Sequence, residues 1–173
     1  HVTHLYNAMN PFTHRAPGVV GAAADSMAEV ELICDGVHIH PAAVRTTFKM
    51  FGDDRIILIS DSMRATGLED GDYSLGGQAV KVVGNRATLA DGTIAGSATN
   101  LLDCMRTAVL KMGIPLEKAV KCAAVNPAKS VGIYDDFGSI APGKKADAVL
   151  LRGENLELCR VILDGAILGG EGR

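Results

Sequence analysis

Apolar residues change their spacing several times along this chain, and each change marks a different kind of element. Val30-Glu31-Leu32-Ile33-Cys34 and Arg55-Ile56-Ile57-Leu58-Ile59 are short, nearly continuous apolar runs rich in β-branched side chains. Such runs suit parallel strands buried on both faces. Each ends on polar residues, Asp35-Gly36 and Ser60-Asp61. Between them, Val44, Phe48 and Phe51 recur at spacings of four and three, which predicts a helix from Pro41 to Phe51. Pro41 sits in the first turn, where a proline is tolerated, and Gly52 closes the helix. The two strands are expected to lie parallel and adjacent. Val2-Thr3 reads as the tail of a further strand, which suggests that part of the machinery lies upstream of this chain.

From Tyr73 to Ile94, Gly76-Gly77, Gly84-Asn85 and Asp91-Gly92 separate short β-prone stretches, the pattern of a hairpin-rich excursion. Helices are predicted from Leu101 to Met112 and from Pro115 to Ala124, with a short one after Pro127. Gly138 to Lys145 is turn-rich. Ala148 to Leu151 reads as a strand, and Arg160 to Leu163 pairs with Ala166 to Leu168 across an Asp164-Gly165 turn. A boundary is expected near Tyr134, dividing the chain into 1–133 and 134–173.

Composition narrows the classes. A length of 173 residues allows one domain with a real core. A formal charge of −3, from 17 basic and 20 acidic residues, leaves no basic field and argues against a nucleic-acid partner. No apolar run approaches the ~18 residues needed to cross a bilayer. Cys34, Cys104, Cys122 and Cys159 are scattered among apolar neighbours with no CxxC pair. Buried reduced thiols are expected, and with them a cytoplasmic location rather than a disulfide framework.

Candidate chemistry sits at the strand ends. Asp61 follows a buried strand, where a partly shielded carboxylate can act as a general base; a helix cap or loop carboxylate is the plainer reading. Asp35-Gly36-Val37-His38-Ile39-His40 also follows a strand. His38 could donate a hydrogen bond to a substrate oxygen, and HxH is a metal-ligand spacing; a structural loop histidine is the alternative. His4, Asn7 and Arg15 put a possible metal ligand, an amide and a cation within twelve residues. Arg15 and Arg64 are the cations nearest the candidate loops. Gly92-Thr93-Ile94-Ala95-Gly96-Ser97 offers small residues just before a helix, where backbone could approach a ligand. It lacks the P-loop lysine, so no nucleotide site follows. His4, His38 and Asp61 are expected to converge on one pocket.

In order along the chain, His4-Leu5-Tyr6-Asn7-Ala8-Met9, Arg15-Ala16-Pro17-Gly18, Asp35-Gly36-Val37-His38, Ser60 to Gly67, Gly92 to Ser97 and Gly138-Ser139-Ile140…Gly143-Lys144-Lys145-Ala146-Asp147 resemble the C-terminal half of the N-acetylglucosamine-6-phosphate deacetylases, within the amidohydrolase superfamily. The resemblance covers essentially the whole chain. The last segment is common to many amidohydrolases; the first, third and fourth are specific to the deacetylases.

The resemblance implies an α/β fold: the C-terminal part of a (β/α)₈ TIM barrel over 1–133, plus part of a small β-sandwich over 134–173. It implies a divalent metal, commonly zinc, held by a Glu and two His, of which only His4 lies here and the others upstream. It implies Asp61 as catalytic acid/base. Asn7, Ala8 and Arg15 are implied at the sugar phosphate, with Arg15 reaching a partner subunit's site in a homodimer. Asp35, Gly36, Val37 and His38, and Ile94, Ala95 and Gly96, are implied as substrate-contacting segments. The family often has Ser where Ala95 stands, which removes a side-chain contact and leaves a backbone one. A dihydroorotase-like enzyme or a deaminase would keep the aspartate after the strand and the closing motif without needing the His4 to Arg15 segment. An inactive remnant is the non-enzymatic alternative.

Overall fold

The computed structural model describes residues 1–168. Its centre is a pair of parallel strands, β1 (Val30–Ile33) and β2 (Ile56–Ile59), joined in register from Val30 opposite Ile56 to Ile33 opposite Ile59. Val2 bridges Val30, also in parallel, so the tail expected before His4 lies on the other side of β1. The two strands are adjacent and parallel, as their apolar runs implied. The helix connecting them, α2 (Pro41–Phe51), has the bounds read from the sequence. His40 caps it by accepting the Ala42 N–H, and the Gly52 N–H returns to the Phe48 carbonyl.

One sheet face makes the main core. Val30, Leu32, Cys34, Ile56 and Leu58 pack with Leu5, Val44 and Phe51, with Cys104, Met105 and Ala108 from α3 (Leu101–Leu110), and with Met112 just beyond it. Each fully buried aliphatic side chain here contributes about 1.5–3 kcal/mol. Three thiols lie in this core, and burial pushes Cys104 and Cys122 up to about 12 and Cys34 higher still. They stay protonated at neutral pH and serve as packing groups.

The excursion after β2 is a four-stranded antiparallel sheet: β3 (Gly71–Leu75), β4 (Gln78–Val83), β5 (Arg86–Thr88) and β6 (Ile94–Ser97). It has its own small core of Met63, Ala65, Val80, Val82, Ala87 and Ala95. The expectation that Gly92 to Ser97 forms a loop before a helix is corrected, because Ile94 to Ser97 pairs with β5 as a strand. As the edge strand of this sheet it pairs with β5 on one side alone, which leaves its other side outside the ladder.

A second correction concerns the two helices expected on either side of Pro127. The chain runs through α4 (Leu116–Val120), a π turn (Lys121–Val125) and α5 (Asn126–Ser130) without a break. Pro127 has no N–H and would press on the carbonyl four residues back. The wider turn, closed by the Asn126 N–H on the Lys121 carbonyl, absorbs that conflict. The Asn126 side chain then donates to the carbonyls of Asp53 and Ile56, both at 2.7 Å, and ties the helix to the start of β2.

A helix absent from the sequence reading, α1 (Gly18–Ala24), packs Val20 and Ala23 on the core. Arg55 reaches its end and donates to the carbonyls of Ala23 and Ala28. The tail forms a three-stranded meander, β7 (Ala148–Arg152), β8 (Glu157–Leu163) and β9 (Ala166–Leu168). Asp164 and Gly165, both with positive φ, make the expected two-residue turn, while β8 begins three residues earlier than Arg160. Arg106 of α3 donates to the Asn155 carbonyl in the β7–β8 turn, joining the meander to the helical layer.

Candidate functional site

Three segments leave the parallel strands at one edge, because Val2, β1 and β2 are adjacent and run the same way. His4 follows the first, Asp35 to His38 the second and Asp61 the third. This edge is where parallel α/β sheets carry their chemistry.

The first segment is a compact series of turns from Thr3 to Ala8. Leu5 is fully buried and its N–H donates to the Glu31 carbonyl at 2.8 Å; Tyr6 Oη lies 2.6 Å from Thr47 Oγ1 on α2. These anchors hold His4, Tyr6 and Ala8 at φ values of 38, 76 and 53°, a left-handed region that costs about 1–2 kcal/mol for an ordinary residue. Strain of this kind persists only where surrounding contacts enforce it, and it concentrates at functional sites. The Leu5 N–H is spent on Glu31 and the Asn7 N–H returns to the His4 carbonyl at 2.9 Å, so these turns are closed by their own hydrogen bonds. Arg15 lies on the exposed loop that follows and forms no ion pair among the described residues.

His4 Nδ1 is buried and has no hydrogen-bond partner. An orphaned ring nitrogen is what a metal ligand looks like without its metal. Among the described residues no three His, Cys, Asp or Glu side chains converge. The described residues therefore fit one ligand position of a metal centre and not a whole centre.

The second segment turns the Asp35 side chain inward. Its carboxylate is enclosed. Oδ1 accepts the backbone N–H of Val37 at 2.8 Å and of His38 at 3.0 Å; Oδ2 lies 2.7 Å from His38 Nδ1 and accepts the Ser97 hydroxyl at 3.2 Å. Burial alone would raise its pKa, but the hydrogen bonds from the His38 ring and from the two N–H groups outweigh it and hold Asp35 below the usual carboxylate range. Gly36, at φ 82°, and Val37 carry the chain round this carboxylate to His38.

Asp61 has φ 52°, and its side chain is exposed rather than partly shielded. Its carbonyl accepts the Ser97 N–H at 2.9 Å. Gly96, at φ 70°, passes so close that a Cβ there would stand 3.4 Å from Met63 Cβ and 3.5 Å from the Asp61 carbonyl oxygen. Gly96 thus lies against the Asp61 backbone, while Ile94 pairs with Thr88. Ser97, the last residue of the Gly92 to Ser97 segment and given no role of its own by the sequence, is fully buried and touches both Asp35 and Asp61.

The amidohydrolase family model matches residues 1–168 of this chain. Over 164 residues the chain is 45% identical to the N-acetylglucosamine-6-phosphate deacetylase of Bacillus subtilis (strain 168), an alignment covering 94% of this chain and 40% of that protein. It is 39% identical over 151 residues to the N-acetylgalactosamine-6-phosphate deacetylase of Escherichia coli O157:H7, covering 87% of this chain and 40% of that one. The crystal structure of N-acetylglucosamine-6-phosphate deacetylase from Pasteurella multocida superposes with a TM-score of 0.91 at 30% identity, over 97% of this chain and 44% of that chain. The chain thus spans less than half the length of each of these relatives. The comparisons do not favour the dihydroorotase-like or deaminase readings.

Proposed function

This chain belongs to the amidohydrolase family, a metal-dependent family, and from that premise we propose that the protein containing it hydrolyses the N-acetyl amide of N-acetylglucosamine 6-phosphate to glucosamine 6-phosphate and acetate. The observation that carries the reading is the alignment along nearly the whole chain with deacetylases of amino-sugar 6-phosphates. Three of the segments that gave the resemblance leave one edge of one sheet. The proposed architecture is the C-terminal part of a (β/α)₈ barrel over 1–133, with 134–173 in a small β-sandwich. A homodimer in the cytoplasm completes the reading, and three buried protonated thiols are compatible with that compartment.

His4, with its free ring nitrogen, would hold one side of a divalent metal, zinc in this proposal. A Glu and a second His would come from residues outside this sequence. When bound, the metal supplies Lewis-acid activation of water and of the amide carbonyl. Asp61 takes the proton from the attacking water on its carboxylate and returns it to the departing amine nitrogen. Its exposure in this chain leaves room for substrate above the sheet edge. Asn7 and Ala8 meet the phosphate, and Arg15 adds charge to it, in a dimer from the neighbouring subunit. The phosphate is remote from the amide, so its binding energy serves to orient the reacting group. Gly36, Val37 and His38 line one side of the sugar, and the backbone of Ile94, Ala95 and Gly96 the other; Asp35 acts from beneath.

A second reading, the epimer N-acetylgalactosamine 6-phosphate, is favoured by the 39% identity to the Escherichia coli protein of that name. The two substrates differ only at one ring hydroxyl. The test is acetate release by the full-length protein from both sugar phosphates and from unphosphorylated N-acetylglucosamine. The highest kcat/KM is expected for N-acetylglucosamine 6-phosphate, with a large loss on removing the phosphate. Preference for the galacto epimer would move the assignment to the second reading, and no release from any of them would refute both.

A further inference from the structure

His38, Asp35, Ser97 and Asp61 stand in one hydrogen-bonded chain that links two of the segments at the sheet edge. Asp35 Oδ1 is committed to two backbone N–H groups, so Oδ2 is the atom left for the His38 ring. A carboxylate can only accept, so His38 Nδ1 must carry a proton. The outer nitrogen, Nε2, has no hydrogen-bond partner among the described residues, and the His38 side chain is 6% exposed. Ser97 Oγ donates to the same Oδ2 and accepts the Thr99 N–H at 3.0 Å, which fixes the direction of its single hydrogen. Through its backbone, Ser97 also holds the Asp61 carbonyl, and its own carbonyl accepts the Met63 N–H at 2.8 Å and the Thr66 hydroxyl at 3.1 Å.

We infer that Asp35 and Ser97 are positioning residues: Asp35 locks His38 in the tautomer protonated at Nδ1, and Ser97 sets the Asp35–His38 pair and the Asp61 turn in register with each other. The consequence for binding differs from the first reading of His38. A neutral ring held this way offers Nε2 as an acceptor, suited to a sugar hydroxyl. It donates to a substrate oxygen only when the ring is cationic. The inference rests on the proposed function for its substrate, not for its geometry.

The test uses the full-length protein labelled with [15N]histidine. Long-range proton–nitrogen spectra identify His38 by the signal lost in His38→Gln and report which ring nitrogen is protonated. Wild type is expected to give the Nδ1–H pattern. In Asp35→Asn the amide oxygen should stay with the two backbone N–H groups, leaving the amide NH₂ to face Nδ1. The ring is then expected to switch to the Nε2–H pattern, with kcat/KM for acetate release down about 10- to 100-fold. Ser97→Ala should keep the wild-type tautomer and lower kcat about tenfold with KM little changed. An Nε2–H pattern in wild type would overturn the inference without any variant needing to fold. An unchanged tautomer in folded Asp35→Asn, or an unchanged kcat in Ser97→Ala, would also overturn it. Because the tautomer is read without substrate, the expected pattern together with no acetate release would refute the proposed function and leave the inference standing.

Discussion

At the scale of single residues, the roles divide by what burial allows. Asp61 is exposed, whereas Asp35 is enclosed and has both carboxylate oxygens engaged. The sequence could show that both follow strands; it could not show that one turns inward. Three of the four contacts on the Asp35 carboxylate are local, from Val37 and His38; the fourth comes from Ser97, 62 residues away, and no local pattern reports such a partner. The lowered pKa of Asp35 has a stability consequence. A carboxyl more acidic in the folded state than in the unfolded state stabilises the fold above the ordinary carboxylate value of about 4, and that stability is lost as pH falls through the folded value. Asp53, held low by hydrogen bonds from Lys121 and Lys118, adds to the same trend. Thermal melts of the full-length protein should therefore be level from pH 7 to about 5 and fall below about 4. Asp35→Asn should flatten part of that acid slope, and a slope identical to wild type would contradict the assigned environment. His4→Ala should remove bound metal from the purified full-length protein, measured by elemental analysis. Full metal retention would show that His4 is not a ligand.

At the scale of elements, periodicity was a good guide wherever packing and local preference agree. The β1–α2–β2 unit, the hairpin sheet and the Asp164-Gly165 turn were legible for that reason. The α1 helix was not, because Gly18–Ala24 is short, contains two glycines and has no side-chain cap; a cation from Arg55 finishes it. The π turn was hidden because Pro127 ordinarily ends a helix, and only a wider turn lets the helix pass. Two variants test these elements. Asn126→Ala leaves the Asp53 and Ile56 carbonyls without their donor and should cost about 1–3 kcal/mol, read as a lower urea midpoint. Gly138→Ala should also destabilise, because a Cβ there would stand 2.6 Å from Ala128 Cβ and 2.8 Å from the Ala124 carbonyl, at a φ of 84°. An unchanged midpoint in either variant would contradict the packing described for α5.

At the scale of the whole molecule, the described residues leave surfaces that a stable globule covers. β2 has a strand partner on one side alone, and Val149, Leu150, Leu158, Leu163, Ile167 and Leu168 are all exposed on the meander. An uncovered strand edge beside exposed apolar side chains favours association. Expressed alone, these 173 residues are expected to self-associate, to bind zinc weakly and to release no acetate, as gel filtration, elemental analysis and an acetate assay would show. Tight stoichiometric zinc in a monomer would contradict this. On the proposed function, the sheet edge carrying His4, His38 and Asp61 is the site of an amino-sugar phosphate deacetylase whose proton carrier is Asp61. Acetate release from N-acetylglucosamine 6-phosphate by the full-length protein, wild type against Asp61→Asn, tests it most directly. The account requires turnover in wild type and a kcat at least about 10²-fold lower in the variant, with the fold intact; near-normal turnover in Asp61→Asn, or none in the metal-loaded wild type, would contradict it.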